Sequence, residues 1–216
     1  MSIRTFWDLE DFGRIRLSRR FFMRDFLYSE VSNACRVPNY PPRMADFPME
    51  MVIAGRELCT QLLEPLAETF GHIHIRSGYR SPSLNAYGNQ RGLKCASNET
   101  NYGYHIWGFD EVGNLGAAAC IVIPWFMDRY PDKKDWVRLA WWIHDHLDYH
   151  ALTFFRHQQA FNIGWHQHPR KDIRSTHDDQ RILLRDGELP LGSRKELYAD
   201  FPPFKQPEPF EFEDMI

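Results

Sequence analysis

The chain has 216 residues, with 26 Lys or Arg against 29 Asp or Glu, which gives a formal net charge of −3. This length predicts a single domain with its own hydrophobic core. The near-neutral balance, with its basic residues scattered, argues against a nucleic-acid partner or an anionic membrane surface. No apolar run approaches the roughly 20 residues of a membrane span, and Met1 to Arg20 lacks a signal peptide's basic-then-apolar design. We therefore expect a soluble, cytoplasmic protein with no nucleic-acid or membrane partner.

The cysteines and histidines are the residues that could carry chemistry. The four cysteines, Cys35, Cys59, Cys95 and Cys120, form no CxxC pair, so neither a zinc ribbon nor a disulfide scaffold is indicated. The ten histidines could supply acid–base groups or metal ligands, or could be solvated surface.

In chain order, the sequence divides into three regions. Residues 1–48 are predicted to be a helical lead-in packed on the core, with helical apolar spacing from Ser18 to Ala34. Residues 49–169 are predicted to form the core domain. Residues 170–216 are predicted to be an irregular extension that wraps the domain or dangles, because Pro and Glu are frequent near its end.

The core region contains most of the predicted elements, with a long surface connection over Ser81 to Tyr104. The elements are a helix from about Met49 to Phe70 that Pro65 kinks or breaks, strands at His72 to Ser77 and Ala117 to Trp125, a helix from Asp132 to Leu147, and strands at Leu152 to Phe155 and Phe161 to His166. Early helices and late strands, with one helix between the strands, predict an α+β fold in which an antiparallel sheet packs on helices.

Three segments place candidate functional residues together. IRSGYRSPSLN, from Ile75 to Asn85, is a strand running into a turn that carries Arg80. YHIWGFDEVGNLGAAACIVIP begins at Tyr104; in it, His105 precedes an acidic loop and a buried strand that contains Cys120. In FNIGWHQHP, from Phe161, His166 and His168 share one face of a strand. No two of these candidate ligands share a short motif such as HExxH, so spacing alone does not define a metal site.

Taken together, these segments resemble the zinc D-alanyl-D-alanine carboxypeptidase family, which includes murein endopeptidases and dipeptidases and has the hedgehog-type fold. The resemblance covers roughly Glu50 to Pro169 and rests on SGYRSP, the following His, the strand GAAACIVIP and the late GWHQH. It implies a DD-peptidase-like fold and a zinc-dependent hydrolase. Such an enzyme would cleave an amide in a peptidoglycan-type peptide or in another small peptide-like substrate.

The resemblance also implies roles for particular residues. The zinc ligands would be His105, Cys120 and His166, where Cys120 stands at the position of the family's Asp. Arg80 would contact the substrate, with Tyr79, Ser81 and Asn85 packing against it or positioning it.

Three departures from the family pattern bear on this assignment. His105 and Cys120 are fifteen positions apart rather than seven, so an insertion must loop out around Phe109 to Leu115. A Cys thiolate replaces a carboxylate, which zinc accepts at about 2.3 Å, although an inert buried thiol is the alternative. No carboxylate occurs in the four residues from Phe161, where the family's general base is expected. Asp110 is the first candidate for that base, and His168 is a second one or an alternative ligand.

Three functions therefore remain open. The first is the zinc hydrolase. The second is a non-catalytic binding protein on the same fold, and the third is a metal enzyme of another reaction class in small-molecule metabolism. In each case the expected partner is a small peptide or another small molecule, and the oligomeric state is open.

Overall fold

A computed structural model describes residues 6–41, 49–93, 95–156, 159–177, 181–190 and 192–212. Within them the chain has the predicted α+β architecture, with one mostly antiparallel sheet packed on helices. None of the helices in these ranges is both long enough and apolar enough to span a bilayer.

The sheet contains seven described strands in the order β1-β3-β5-β4-β6-β7, with β2 paired to β3. Their bounds are β1 His74–Ser77, β2 Gly108–Phe109, β3 Leu115–Val122, β4 Ala151–Phe154, β5 Phe161–His166, β6 Asp172–Ser175 and β7 Ile182–Leu184. All pairs are antiparallel except β4 with β6. The four strands predicted from the sequence therefore match β1, β3, β4 and β5 to within a few residues.

The helices lie largely before β3 in the sequence. They are α1 Phe6–Arg14, α2 Glu30–Cys35, α3 Met49–Leu58, α4 Glu64–Phe70, α5 Pro82–Gln90, α6 Asn98–Asn101, α7 Pro124–Arg129 and α8 Trp136–His146, with short 3₁₀ helices at Met23–Phe26 and Lys195–Tyr198. The helix predicted at Asp132 to Leu147 is confirmed as α8, and the connection predicted over Ser81 to Tyr104 contains α5 and α6.

The predicted long helix continues through its proline. A π-helical turn, Cys59–Leu63, joins α3 to α4, and Pro65 lies in the first turn of α4. Proline has no backbone N–H to donate to the preceding turn, so the hydrogen-bond ladder is interrupted there. The wider π turn takes up this interruption without ending the helix.

The region before α3 differs from the single helix predicted over Ser18 to Ala34. Ser29 has an extended backbone, and its hydroxyl accepts a hydrogen bond from the Ser32 amide at 3.3 Å. This N-cap begins the new helix α2, so apolar spacing across it does not correspond to one continuous helix.

The extension predicted to be irregular from residue 170 onward supplies two strands to the sheet. In β6, Ile173 is buried on the core side while Arg174 is exposed, and β6 pairs in parallel with β4. Such a pairing depends on partners distant in sequence, which local composition does not reveal. Beyond β7, the chain packs Tyr198 and Phe201 into the core.

The sheet has an apolar side and a polar side. Ala119, Ile121 and Ile163 point to the apolar side, where they join the helices in one hydrophobic core. Residues of opposite parity, including Cys120 and its cross-strand partner Asn162, point the other way. Four polar residues lie on that second side in one cross-strand row, Ser77, Cys120, Asn162 and Thr153, which we call the polar face.

Candidate functional site

The turn after β1 and the residue His105 hold each other in place. The Arg80 amide donates to the His105 carbonyl at 2.8 Å, and His105 Nδ1 lies 3.1 Å from the Gly78 carbonyl. At Gly78, an added Cβ would lie 2.6 Å from the Phe26 ring, so the turn needs glycine there. The turn that carries Arg80 is therefore fixed against the polar face.

His105 is buried, with one definite tautomer. Because a carbonyl only accepts, Nδ1 must donate to Gly78, which leaves the Nε2 lone pair facing the Asn162 amide nitrogen at 3.1 Å. Burial, together with the nearby Arg80 charge, lowers the pKa of His105 to about 4, although its bond to Gly78 acts in the opposite direction. The ring is therefore neutral near pH 7.

Cys120 lies across the strand pair from Asn162, and it is buried and present as a thiol. Burial raises its pKa to about 11, although the charge of Arg76 and a hydrogen bond with Arg76 both oppose that shift. The charge of Arg80 also acts on this thiol. His105 and Cys120 thus both lie beside Asn162, with two guanidinium groups close by.

Arg80 is half-buried and directed by its neighbours. Its Nη1 donates to Asn85 Oδ1 at 3.0 Å, and fully buried Asn85 in turn donates to the Asn98 side chain and the Ala96 carbonyl. Among the residues that the structure describes, Arg80 forms no ion pair.

The other two residues predicted to bind substrate are buried supports. Tyr79 packs against Trp107, and its carbonyl accepts from Asn39. The Ser81 hydroxyl accepts from the Leu84 amide and so begins α5. Both act on the turn around Arg80 and have little exposed surface of their own.

His166 belongs to a second cluster at the other end of β5. Its Nε2 lies 3.1 Å from Asp110 Oδ2, and the His168 amide donates to its Nδ1 at 3.0 Å. In the neutral ring the proton is therefore on Nε2 and is donated to Asp110. The ring of His150 stacks on that of His166, with 4.6 Å between the centroids.

Asp110 also organises the loop that the sequence predicted as an insertion. Its Oδ1 accepts from the amides of Val112 and Asn114. Although partial burial acts to raise the pKa of Asp110, these amide bonds and the His166 bond lower it overall. His168 is exposed, and it bonds to His166 through its backbone.

The three predicted zinc ligands lie at two places. His105 and Cys120 flank Asn162, whereas His166 lies four residues further along β5, a span of roughly 13 Å at about 3.3 Å per residue. Within the described ranges, no group of three or more His, Cys, Asp or Glu side chains is placed to hold a metal ion. Zinc binding by these residues therefore stays a prediction. The structure brings His105 and Cys120 together beside Asn162, and it places His166 with Asp110 at the second cluster.

Residues that the sequence analysis did not select also shape the site. The Tyr104 ring covers Gly164, where an added Cβ would lie 2.6 Å from it. The Tyr104 hydroxyl is buried near Asn162 and Thr153 without a well-formed hydrogen bond, and burial raises its pKa. Asn162 could have been found from the sequence, because it shares the strand face of His166. No pattern in the sequence indicates that Arg76 lies close to Cys120 or that Tyr104 lies close to Asn162.

Comparison of the chain with protein-family models, with curated proteins and with solved structures finds no match.

Proposed function

We propose that the protein is a binding protein on a scaffold resembling the DD-carboxypeptidases, and that its polar face takes a small ligand with a free carboxylate. The observation that carries this proposal is Arg80, a half-buried guanidinium held by the neutral Asn85 and without an ion-pair partner in the described part of the chain. A carboxylate is its natural complement, since guanidinium groups bind carboxylates through paired, charge-assisted hydrogen bonds.

The surroundings of Arg80 favour an anion in the same way. At pH 7 His105 is neutral and Cys120 is an uncharged thiol, so neither group repels an anion. The charge of Arg76 is balanced by Glu30, so among the described charged groups here the guanidinium of Arg80 is the one without an ion pair. The poorly bonded Tyr104 hydroxyl is a further polar group that a ligand could satisfy.

The residues beside His105 do not complete a zinc site as they stand. The Asn162 amide lies against the Nε2 lone pair, Arg76 is bonded to the Cys120 thiol, and His166 is engaged by Asp110. Because these contacts already occupy the candidate ligand atoms, they support ligand binding at Arg80 over metal-assisted hydrolysis.

The test is calorimetric titration of the full chain with N-acetyl-D-alanyl-D-alanine and with its C-terminal amide. The free acid should bind and the amide should not. Replacing Arg80 with Met should weaken binding of the acid by about 10- to 100-fold, the usual loss for a hydrogen bond to a charged group. Arg185→Met is the matched control, because Arg185 is exposed and pairs with Glu188 away from the polar face.

The stereoisomer N-acetyl-L-alanyl-L-alanine extends the test to substrate class. Preference for the D,D peptide would support a peptidoglycan-type ligand, and equal affinity would support a general carboxylate site. Equal binding of acid and amide, or binding of neither peptide, would contradict the proposal.

One observation favours the zinc hydrolase as a second candidate. A metal-ligating His commonly donates its other ring nitrogen to a backbone carbonyl, as His105 does to Gly78. When bound, zinc would supply Lewis-acid activation of an amide and of water. Metal analysis of the purified chain and of His105→Ala and Cys120→Ser, with an assay for released D-alanine, decides between the two. If the wild-type chain holds stoichiometric zinc, both variants lose it and the wild type releases D-alanine, the proposed function is zinc-dependent hydrolysis and not binding alone.

A further inference from the structure

A separate cavity lies on the apolar side of the sheet, away from the polar face. It has a volume of about 200 Å³ and opens between α7, the beginning of α8 and the end of β4. Aromatic side chains form one part of its wall, among them Tyr130, Trp136 and Phe154, and Arg156 and His177 line another part. Trp136 and Phe154 are themselves buried, with their ring centroids 5.1 Å apart.

One polar group in this wall is unsatisfied. Gln159 lines the cavity, and its Oε1 is buried without a hydrogen-bond partner in the described part of the chain. The Nε2 atom of the same amide donates to the Tyr130 carbonyl at 3.4 Å, which fixes how the amide is oriented. Leaving a buried carbonyl oxygen unpaired costs free energy, so this acceptor favours a ligand that brings a donor.

We propose that this cavity binds a small aromatic molecule carrying one N–H or O–H group, such as a phenol or an indole, whose donor bonds to Gln159 Oε1. A dry cavity of about 150 Å³ lined by apolar side chains is enough to hold benzene, so the volume suits one ring or a compact bicycle. The aromatic wall offers edge-to-face contacts to such a ring. Asp132 and Lys133, both exposed, stand at the rim where the ligand would enter.

Phenol and toluene are the matched probes, because they have nearly the same shape and only phenol carries a donor. Titration of the full chain is followed by NMR at the Trp136 indole signal. Both should shift this signal, and phenol should bind about 5- to 10-fold more tightly, as one additional hydrogen bond predicts.

The decisive variant is Gln159→Met. Methionine has nearly the same length and shares the unbranched stem of Gln, which matters because Gln159 has a φ of 44°. This variant should lose the preference for phenol and keep its affinity for toluene. Gln159→Asn, which retracts the amide but tolerates the same backbone, should lose the preference in the same way.

Two results would overturn the proposal. One is the absence of any shift at Trp136 with either probe up to their solubility limits. The other is an unchanged preference for phenol in both Gln159 variants. Neither result bears on carboxylate binding at Arg80, because the cavity and the polar face lie on opposite sides of the sheet.

Discussion

At the scale of single residues, the site is governed by which groups are kept neutral. His105 is surrounded by Arg80, a carbonyl and an amide, and among the described residues no carboxylate is bonded to it to stabilise an imidazolium. His166, in contrast, has the carboxylate of Asp110 at hydrogen-bond distance. Two histidines on the same side of one sheet therefore meet opposite electrostatic environments, so they are suited to different roles.

The lowered pKa of His105 makes stability depend on pH. Between pH 6.5 and pH 4, the unfolded chain binds a proton at this position and the folded chain does not, so the free energy of unfolding falls as the pH is lowered. A shift from 6.5 to about 4 predicts a loss of about 2 kcal/mol between pH 7 and pH 5 from this residue. Urea denaturation of the wild type and of His105→Gln at the two pH values measures it by difference, because the lowered pKa of His150 adds its own loss in both proteins.

His105→Gln should reduce that pH dependence by the same amount. NMR titration of the wild-type imidazole provides a direct measurement that does not depend on how well the variant folds. An imidazole signal from His105 that titrates near pH 6.5 would contradict the argument.

At the scale of elements, Arg80 is positioned by a strand, a turn and a helix cap in succession. β1 ends at Ser77, the turn bonds to His105, and Ser81 then caps α5. The Ser81 amide also donates to Asn39, which ties the helix start to the segment before α3. The orientation of one guanidinium therefore depends on several backbone bonds.

Two N-cap substitutions separate positioning from stability. Ser81→Ala and Ser29→Ala each remove a cap and should each lower the free energy of unfolding by about 1 kcal/mol. Only Ser81→Ala should also weaken carboxylate binding, because Ser29 caps α2 rather than α5. Thermal unfolding and the same calorimetric titration measure the two effects. Equal peptide affinity in both variants would show that the cap does not position Arg80.

At the scale of the whole molecule, the sequence predicts the parts of the fold that depend on local pattern. The strand predicted at Phe161 to His166 has the observed bounds of β5, and an apolar run located the buried strand β3. The parallel pairing of β4 with β6 joins segments whose partners only tertiary packing selects. The capping residue at Ser29 was visible in the sequence, but the apolar spacing around it indicated a longer helix.

The candidate site was predictable to a similar extent. Arg80, His105 and Cys120 do lie around one point on the polar face, as their segments indicated. The pairing of His166 with Asp110 was not predictable, because it depends on how the loop at Asp110 folds back onto the end of β5. A sequence motif indicates candidate residues, but strand register determines which of them lie next to each other. Here the register places Asn162, and not His166, opposite Cys120.

The segment after the last 3₁₀ helix is the clearest case in which whole-molecule packing overrides composition. Phe201 is buried, and its ring packs against those of Phe70, Trp125 and Tyr130. Further along, Phe204 packs on Trp142. The final aromatic residues instead lie against arginines near the surface, as Phe210 does with Arg16 and Phe212 with Arg56.

Nested truncations should therefore have unequal effects. Among the described residues, a chain ending at residue 206 loses the arginine–aromatic contacts and the Arg19–Glu208 ion pair, and its free energy of unfolding should fall by about 1 kcal/mol. A chain ending at residue 200 also loses Phe201 and Phe204 and should fall by at least about 3–5 kcal/mol, the usual cost of deleting one buried phenylalanine side chain. In melting temperature this is roughly 10 °C or more for a chain of this size.

Phe201→Ala in the full chain should reproduce most of the larger loss, which keeps the prediction testable if the shorter chain does not fold. Equal melting temperatures for the two truncations would show that Phe201 and Phe204 do not belong to the core.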